Sequence, residues 1–567
     1  MSFFGFKKRN FYREKIATKD IAPEDIFLDS RNLPKFDTNQ FEGRLEKPIG
    51  KKTIIIISIS FLLVGFLFLG KIWYLQILNG KKFVERSENN NLRNTLEFTE
   101  RGIIYDRNGK ELVWNIIGKE ERDFREREYL NESGFSHLLG FVNYPKKDRS
   151  GRYYEYDIVG IDGVEKYFNN IVGGQNGIKI TELDVFGKII SESTIRPAVN
   201  GKDLNLSIDW KVQNKLYKLI EEVAGKANFQ GGAGVIMDIN SGEILALSSY
   251  PEFDSDILTS GKNEELIDKY KNDSRKPFLN RVISGLYTPG SIIKPFIALA
   301  ALDAKIISPE KSILSTGSIS IPNPYNPENK SVFKDWKAHG FVNMREALSV
   351  SSNVYFYTIG GGYKDQPGLG ISKIEKYLKD FGFENKTGID IGEEGEGVVP
   401  NPRWKKEIFD DDWRVGDTYI TSIGQFGFQI TPIQAVRNIA MVANGGKLLK
   451  PTVLKNPNPE IERTVKINED DFNIVREGMR LAVQKGTASS LNFPYVKIAA
   501  KTGTAELGIL KESVNSWIIG YFPYNNPKYA FAVVMERRES KNPIGGLYVM
   551  TNLINWMHIN TPEYLEN

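Results

Sequence analysis

The chain of 567 residues contains no cysteine, which excludes disulfides and thiolate chemistry. Histidine is almost missing as well. His137, His339 and His558 are the only three, and none stands in metal-ligand spacing or in a nucleophile elbow, so a Ser-His-Asp triad is disfavoured and no metal is expected. Net charge is small: 75 Lys+Arg against 71 Asp+Glu leave +4, too little to suggest nucleic acid as a partner. Internal repeats and low-complexity tracts are absent. Gly231-Gly-Ala-Gly234 is no dinucleotide loop, since no suitable strand precedes it. No cofactor is expected.

What is present begins with one long apolar run. Thr53 to Gly70 is 18 residues without charge, and Ile72-Trp73-Tyr74-Leu75 carries the apolar character past Lys71. About 20 apolar residues span a bilayer. Twelve Lys/Arg fall in residues 1–52, which predicts a cytoplasmic N-terminus, a single-pass anchor and an extracytoplasmic remainder. No earlier apolar region with a small-residue cleavage site suggests a cleaved signal peptide. Four regions follow: a disordered tail over 1–50, a transmembrane helix over 51–78, a non-catalytic pedestal over 79–203 and a catalytic domain over 204–567.

In the pedestal, the apolar residues of Arg101–Gly109 ending in Asp-Arg-Asn-Gly predict a strand and hairpin turn. Residues 118–133 are highly charged and fit a short helix or a surface loop equally. Gly160–Asn169 reads as a turn opening a short helix, and Ile178–Glu182 as a strand. Beyond Asp203, Leu204–Ile208 is a strand and Asp209 caps a helix over Lys211–Val223. Gly234–Asp238 and Glu243–Ser248 form a hairpin, and Ser291–Leu302 a helix apolar all round, hence central. Val496–Ala500, Trp517–Tyr521 and Tyr529–Met535 are strands of one sheet, and an amphipathic helix follows near 546–558. This irregular alternation gives an α+β class.

Three short strings carry chemistry. Ser291-Ile-Ile-Lys294 places a hydroxyl and an amine three residues apart on one helix face, so Lys294 can reach Ser291. Two other Ser-x-x-Lys matches, Ser308…Lys311 and Ser331…Lys334, lie in polar, Pro-rich loops and read as accidents. Ser351-Ser352-Asn353 begins 60 residues later. Ser351 can relay a proton to a leaving amine, and the Asn353 amide can bind a peptide group. Lys501-Thr502-Gly503-Thr504 ends the strand 496–500, with Gly503 permitting close approach of a substrate and both threonine hydroxyls able to bind a carboxylate. A lysine base must be neutral; lowering its pKa from about 10.4 to near 7 costs roughly 5 kcal/mol. Burial and the nearby charge of Lys501 are the expected causes. The backbone N–H groups of Ser291 and Thr504 would form an oxyanion hole. Ser291, Lys294, Ser351, Asn353 and Lys501 are thus the expected catalytic set for acyl transfer without histidine, with Thr502, Gly503 and Thr504 binding substrate.

On these motifs the chain resembles the class B penicillin-binding proteins from the apolar run to the C-terminus. Arg101–Gly109, Gly234–Tyr250, Tyr287–Leu302 and Thr421–Pro432 are similar to family blocks. Asp335-Trp336-Lys337 before Gly340, Thr387–Asp390 and Trp404-Lys405 resemble the elongation subfamily, penicillin-binding protein 2, more than the septal one. The resemblance implies a penicillin-binding/β-lactamase-like domain, with a central antiparallel sheet flanked by helices, on an elongated pedestal. It also implies D,D-transpeptidation of peptidoglycan stem peptides through a Ser291 acyl-enzyme with release of D-Ala, in cell-wall elongation. Covalent inhibition by β-lactams and a membrane partner of the shape-and-division glycosyltransferase family are further implications. Two departures stand out: the segment from Asn115 to His137 is short for the subfamily, and Gly424-Gln-Phe-Gly427 carries one residue more than Gly-Gln-Gly. A membrane-anchored β-lactamase or β-lactam sensor and a non-enzymatic activator of a glycosyltransferase are the competing readings.

Overall fold

The computed structural model describes residues 50–83, 92–118, 122–183, 189–323, 326, 328–455, 458–508, 510–539 and 544–566. The tail expected over 1–50 lies, but for Gly50, outside the described residues. The chain divides into two units, one of residues 1–91 with 183–188 and one of residues 92–182 with 189–567. In the first, α1 (Lys51–Trp73) runs into a π-helical turn at Tyr74–Leu78. Together they form a 28-residue helix, long and apolar enough to cross a bilayer.

The second unit opens with β1 (Leu92–Glu97), β2 (Ile104–Tyr105), β3 (Glu111–Ile116) and β4 (Glu126–Tyr129), then β5 (Gly177–Leu183), β6 (Ile189–Arg196) and β7 (Leu204–Asn205). One sheet has the order β1-β5-β6 and another β7-β2-β3-β4. The charged stretch that sequence left between helix and loop therefore contributes a strand, β4, whose alternate residues Arg127 and Tyr129 are buried. A period of two was hidden there because one of the inward residues is a charged arginine.

That arginine has a partner. Glu165, fully buried, accepts from Arg127 Nε at 2.7 Å and from Arg101 Nε at 3.0 Å. Arg101 also reaches the Asn169 side chain, and Arg127 reaches Asn115 and the Gly102 carbonyl. Arg101 thus knots together the strands and short helix of this region. At the other end of the same motif, the Asp106 carboxylate accepts from the backbone of Asn108 and Lys110, while Asn108 donates to Asp209. Asp209 caps α2 (Trp210–Ala227) by accepting from Lys211 and Val212. The Asp-Arg-Asn-Gly hairpin therefore splices the N-terminal sheets onto the first helix of the following domain.

That domain is built on one antiparallel sheet. Its strands are β8 (Gly231–Asp238), β9 (Ile244–Tyr250), β10 (Ala499–Leu507), β11 (Ser513–Phe522) and β12 (Tyr529–Glu539), in the order β9-β8-β12-β11-β10. Alternation along the strands sorts side chains to two faces. Ile236, Ile518, Phe531 and Val533 pack with α2 and with the C-terminal helix Gly546–Asn560, while Val235, Trp517, Ile519 and Ala532 join the larger core. Gly232 and Gly234 lie where α2 crosses: a Cβ there would come within 2.7 Å of Ile220 and 2.9 Å of Leu216. The larger core holds α3 (Lys294–Asp303), α4 (Met344–Val350), α5 (Asn353–Gly361), α6 (Pro432–Ala443) and α7 (Glu469–Lys485), and α3 is buried from Lys294 through Leu302.

Burial alone would raise the pKa of the Glu165 carboxyl, but Arg127 and Arg101 outweigh it and hold it below the usual range. Its stabilising contribution is present above the ordinary carboxylate pKa and is lost as pH falls through the depressed one. Glu165→Ala leaves two guanidiniums buried without their anion. We expect it to cost about 3–5 kcal/mol in urea unfolding of the extramembrane region.

Candidate active site

Ser291 sits on a 3-10 turn, Gly290–Ile293, that leads directly into α3 at Lys294. The expected helix thus begins with a tighter turn. Two glycines permit this turn to touch the edge strand β10. Gly290 has φ +57°, and a Cβ on it would stand 2.8 Å from the Thr504 carbonyl oxygen; a Cβ on Gly503 would stand 2.8 Å from Ile292 and 3.0 Å from the Pro289 carbonyl. Gly503 therefore serves the approach of the Ser291 turn. It lies inside β10, which starts at Ala499 and runs on to Leu507, whereas sequence placed the motif at a strand end. Residues 496–498 precede the strand.

Lys294 is fully buried, and its amine turns to the second motif. Nζ lies 2.8 Å from the Ser351 carbonyl, 2.7 Å from Asn353 Oδ1 and 3.3 Å from Ser351 Oγ. The expected Lys294–Ser291 hydrogen bond is not formed; among the described residues the Ser291 hydroxyl has no hydrogen-bond partner. The buried amine has taken the three oxygens that the 351–353 loop offers. Ser351 occupies the left-handed region at φ +59° as the C-cap of α4, and Ser352 caps α5 by accepting from Tyr355 N–H. Such back-to-back caps aim the Ser351 carbonyl and hydroxyl at one point.

Lys501 is fully buried too, donating to Ser351 Oγ at 2.8 Å and to the Thr502 carbonyl at 2.8 Å. The Ser351 hydroxyl thus lies between two amines. If it accepts from Lys501, its own proton is free to point at the lone pair of a neutral Lys294. Burial lowers the Lys294 pKa to about 7, opposed by the Asp335 carboxylate. Burial pushes Lys501 well down as well, followed by repulsion from Lys294. Of the two expected causes, desolvation is the one that lowers Lys294; the charge of Lys501 is not among its causes.

Thr502 and Thr504 keep their side chains toward solvent while Lys501 does not. A carboxylate arriving at β10 would meet the threonine hydroxyls first, with Lys501 acting from beneath. The Thr502 hydroxyl lies 2.7 Å from that of Thr487, a residue that sequence reasoning missed and that no local pattern marks. Asp335 enters the sequence reading only within a subfamily motif. Its Oδ2 accepts from Ser352 Oγ at 2.8 Å, Val354 N–H at 3.0 Å and Ser315 Oγ at 3.2 Å, so it anchors the relay loop. Of the histidines, His137 is buried against the Pro277 carbonyl and His558 stacks on Tyr495, both remote from Ser291 in their partners; His339 lies 3.6 Å from Asp335.

A hydroxyl at the mouth of a buried helix, two desolvated amines sharing a second hydroxyl and an open-edged strand beside them define a serine acyltransferase that works without histidine. The chain belongs to the penicillin-binding proteins: residues 232–547 match the penicillin binding protein transpeptidase domain, and residues 121–206 the penicillin-binding protein dimerisation domain. It is 30% identical to the peptidoglycan D,D-transpeptidase MrdA of Haemophilus influenzae, over 74% of this chain and 67% of that protein. To its Acinetobacter baumannii namesake it is 31% identical, over 72% and 63%. Among solved structures, penicillin-binding protein 2 of Helicobacter pylori in complex with MreC superposes with TM-score 0.69 at 27% identity, covering 83% of this chain and 100% of that one. Pseudomonas aeruginosa penicillin-binding protein 2 gives TM-score 0.69 at 26% identity, covering 84% and 98%.

With Lys294 as the base, a pKa of about 7 predicts that acylation by penicillin rises with pH through about 7 and levels off above it. Asp335→Asn removes the carboxylate that favours the ammonium, so the midpoint should move to lower pH. Stopped-flow acylation rates between pH 5 and 9 check both statements; an upward move in the variant contradicts the assignment.

Proposed function

We propose that Ser291 is the nucleophile of a peptidoglycan D,D-transpeptidase acting in cell-wall elongation. The observation that carries this reading is the Ser351 hydroxyl held at 2.8 Å by Lys501 and at 3.3 Å from Lys294, beside the Ser291 turn. Ser291 Oγ attacks the carbonyl of the penultimate D-Ala, its proton passing to neutral Lys294. The developing oxyanion lies toward the Ser291 N–H at the start of the helix and the Thr504 N–H on β10. The C–N bond to the terminal D-Ala then breaks, and the Lys294 proton reaches the leaving amine through Ser351. In the second half, a stem-peptide amine attacks the ester, gives up its proton along the same route, and Ser291 is regenerated. Asn353 positions the donor's peptide group, and Thr502 and Thr504 receive its terminal carboxylate over Lys501, with Gly503 leaving room. The donor carboxylate also brings a negative charge to a site whose buried amines hydrogen-bond no carboxylate, Asp335 acting on Lys294 only through space.

We assign residues 79–203 to a pedestal and 204–567 to the catalytic domain, with residues 51–78 as a single membrane anchor that leaves the N-terminus in the cytoplasm. The H. pylori relative was solved with MreC. By the same reading this chain works beside a membrane-bound glycosyltransferase of the shape-and-division family, which supplies the strands to be cross-linked.

Fluorescent penicillin should label the protein stoichiometrically at Ser291, with slow release. Ser291→Ala should abolish labelling while leaving thermal unfolding unchanged. Retained labelling of that variant overturns the nucleophile, and rapid multiple turnover of a chromogenic cephalosporin by the unmodified protein would mark a β-lactamase instead.

A further inference from the structure

Strand β10 is the edge of its sheet, paired only with β11, so one side of it is free to take up a peptide as an added strand. In an antiparallel strand the N–H and C=O of one residue leave by the same edge, and neighbours alternate. The free edge, however, does not run the length of β10. Gln425 reaches it. With its amide oriented to satisfy both groups, the Gln425 nitrogen donates to the Glu506 carbonyl at 3.2 Å and its oxygen accepts from the Glu506 N–H at 3.0 Å.

Glu506 therefore faces the open side. The register of β10 with β11 is unbroken from Ala499 to Leu507, so Thr504 and Thr502 face that side too. The Thr504 carbonyl agrees, since it looks onto Gly290 of the nucleophile turn. A peptide lying antiparallel along this edge pairs with every second residue. With its terminal carboxylate at Thr502 and its acyl residue opposite Thr504, it would meet Glu506 with the residue two positions further upstream. Gln425 already holds that place, as a side-chain copy of a backbone amide.

The holder is firmly seated. The Gly290 N–H donates to the Gly424 carbonyl at 2.8 Å, while the Gly424 N–H donates to the Thr421 carbonyl at 2.9 Å. On the other side of Gln425 stands Phe426, the additional residue of this loop, in the left-handed region at φ +64°. Its ring packs against Trp404 at 5.7 Å, Trp413 at 5.7 Å and Phe409 at 6.2 Å. Gly427 makes room for that arrangement, because a Cβ there would stand 2.3 Å from Trp404. An aromatic anchor on one flank and the nucleophile turn on the other fix where the carboxamide points.

We propose that Gln425 is a specificity-determining residue that ends the donor track at Thr504, so that a donor peptide is read along the strand through its acyl residue and must leave the edge before Glu506. This rests on Ser291 being the nucleophile. Its substrate class is acyl-D-Ala donors, and its consequence is indifference to what lies further upstream.

The test uses acyl-D-Ala thioesters bearing one, two or three α-linked residues before the D-Ala, with acylation followed as kcat/KM. For the unmodified protein, lengthening from one residue to three should change kcat/KM by less than about twofold. In Gln425→Ala the vacated Glu506 groups become available, and the same lengthening should gain about fivefold to tenfold, the worth of a backbone hydrogen-bond pair. Gln425→Glu, which cannot donate to the Glu506 carbonyl, should gain in the same direction. Fluorescent penicillin labelling of Ser291 in each variant verifies that the site is assembled. A gain of fivefold or more already in the unmodified protein, or flat length profiles in both labelled variants, overturns the proposal. Failure of the unmodified protein to label at Ser291 overturns the nucleophile assignment itself, and this proposal with it.

Discussion

Two lysine amines buried around one serine hydroxyl form the constraint on which the rest of the site depends. Neither Lys294 nor Lys501 retains any contact with solvent, and a buried ammonium is expensive unless it is paired. Bringing Lys294 to about 7 costs roughly 5 kcal/mol against an ordinary lysine. The unfolded chain binds the proton more tightly, so this penalty is largest at low pH and fades as pH rises from about 7 toward the lysine range. The folded core has to carry that cost, and it does so with a helix, α3, whose apolar residues are buried from Pro295 through Leu302. What is gained is an amine that can be neutral near pH 7.

The oxygens that keep those amines in place come from a loop with little freedom. Ser351 ends one helix and Ser352 starts the next, so the backbone between them has no slack. Asp335 then ties Ser352, Val354 and Ser315 to one carboxylate. Its charge has a second effect, favouring the ammonium form of Lys294 against desolvation. Structural anchoring and electrostatic tuning thus meet in a residue that touches neither Ser291 nor β10. The glycines complete the geometry from the other direction. Gly290 and Gly503 remove the two Cβ atoms that would hold turn and strand apart.

Much of the site was legible because its pieces are local. Ser291 and Lys294 are one turn apart, Ser351 and Asn353 share a tight cap, and Lys501 to Thr504 is one strand segment. The α2 cap, the hairpin β8–β9 and the apolar circumference of α3 were readable for the same reason: each depends on neighbours within a few residues. What escaped depends on distant partners. β4 was not recognised because one of its inward positions, Arg127, is charged, and only the fold supplies Glu165 for it. Thr487 gained meaning only when α7 brought the end of its helix beside Thr502. The strand boundary was misplaced because the pairing of Lys501–Thr504 with Ile519–Ser516, not local propensity, decides where β10 runs.

By itself, then, the sequence determined the α+β class, the apolar span, the three chemical strings and the family they belong to, since all of these follow from residue type and short spacing. Tertiary structure alone decided which acceptors the Lys294 amine takes, that Lys501 is hidden beneath the threonines, and that the charge of Lys501 adds nothing to the burial that lowers Lys294. It also decided where the free edge of β10 stops. The physical reason is the same in each case: desolvation and backbone pairing are properties of the packed surroundings, assembled from segments as far apart as residues 291, 351, 425 and 501, and no local spacing encodes them.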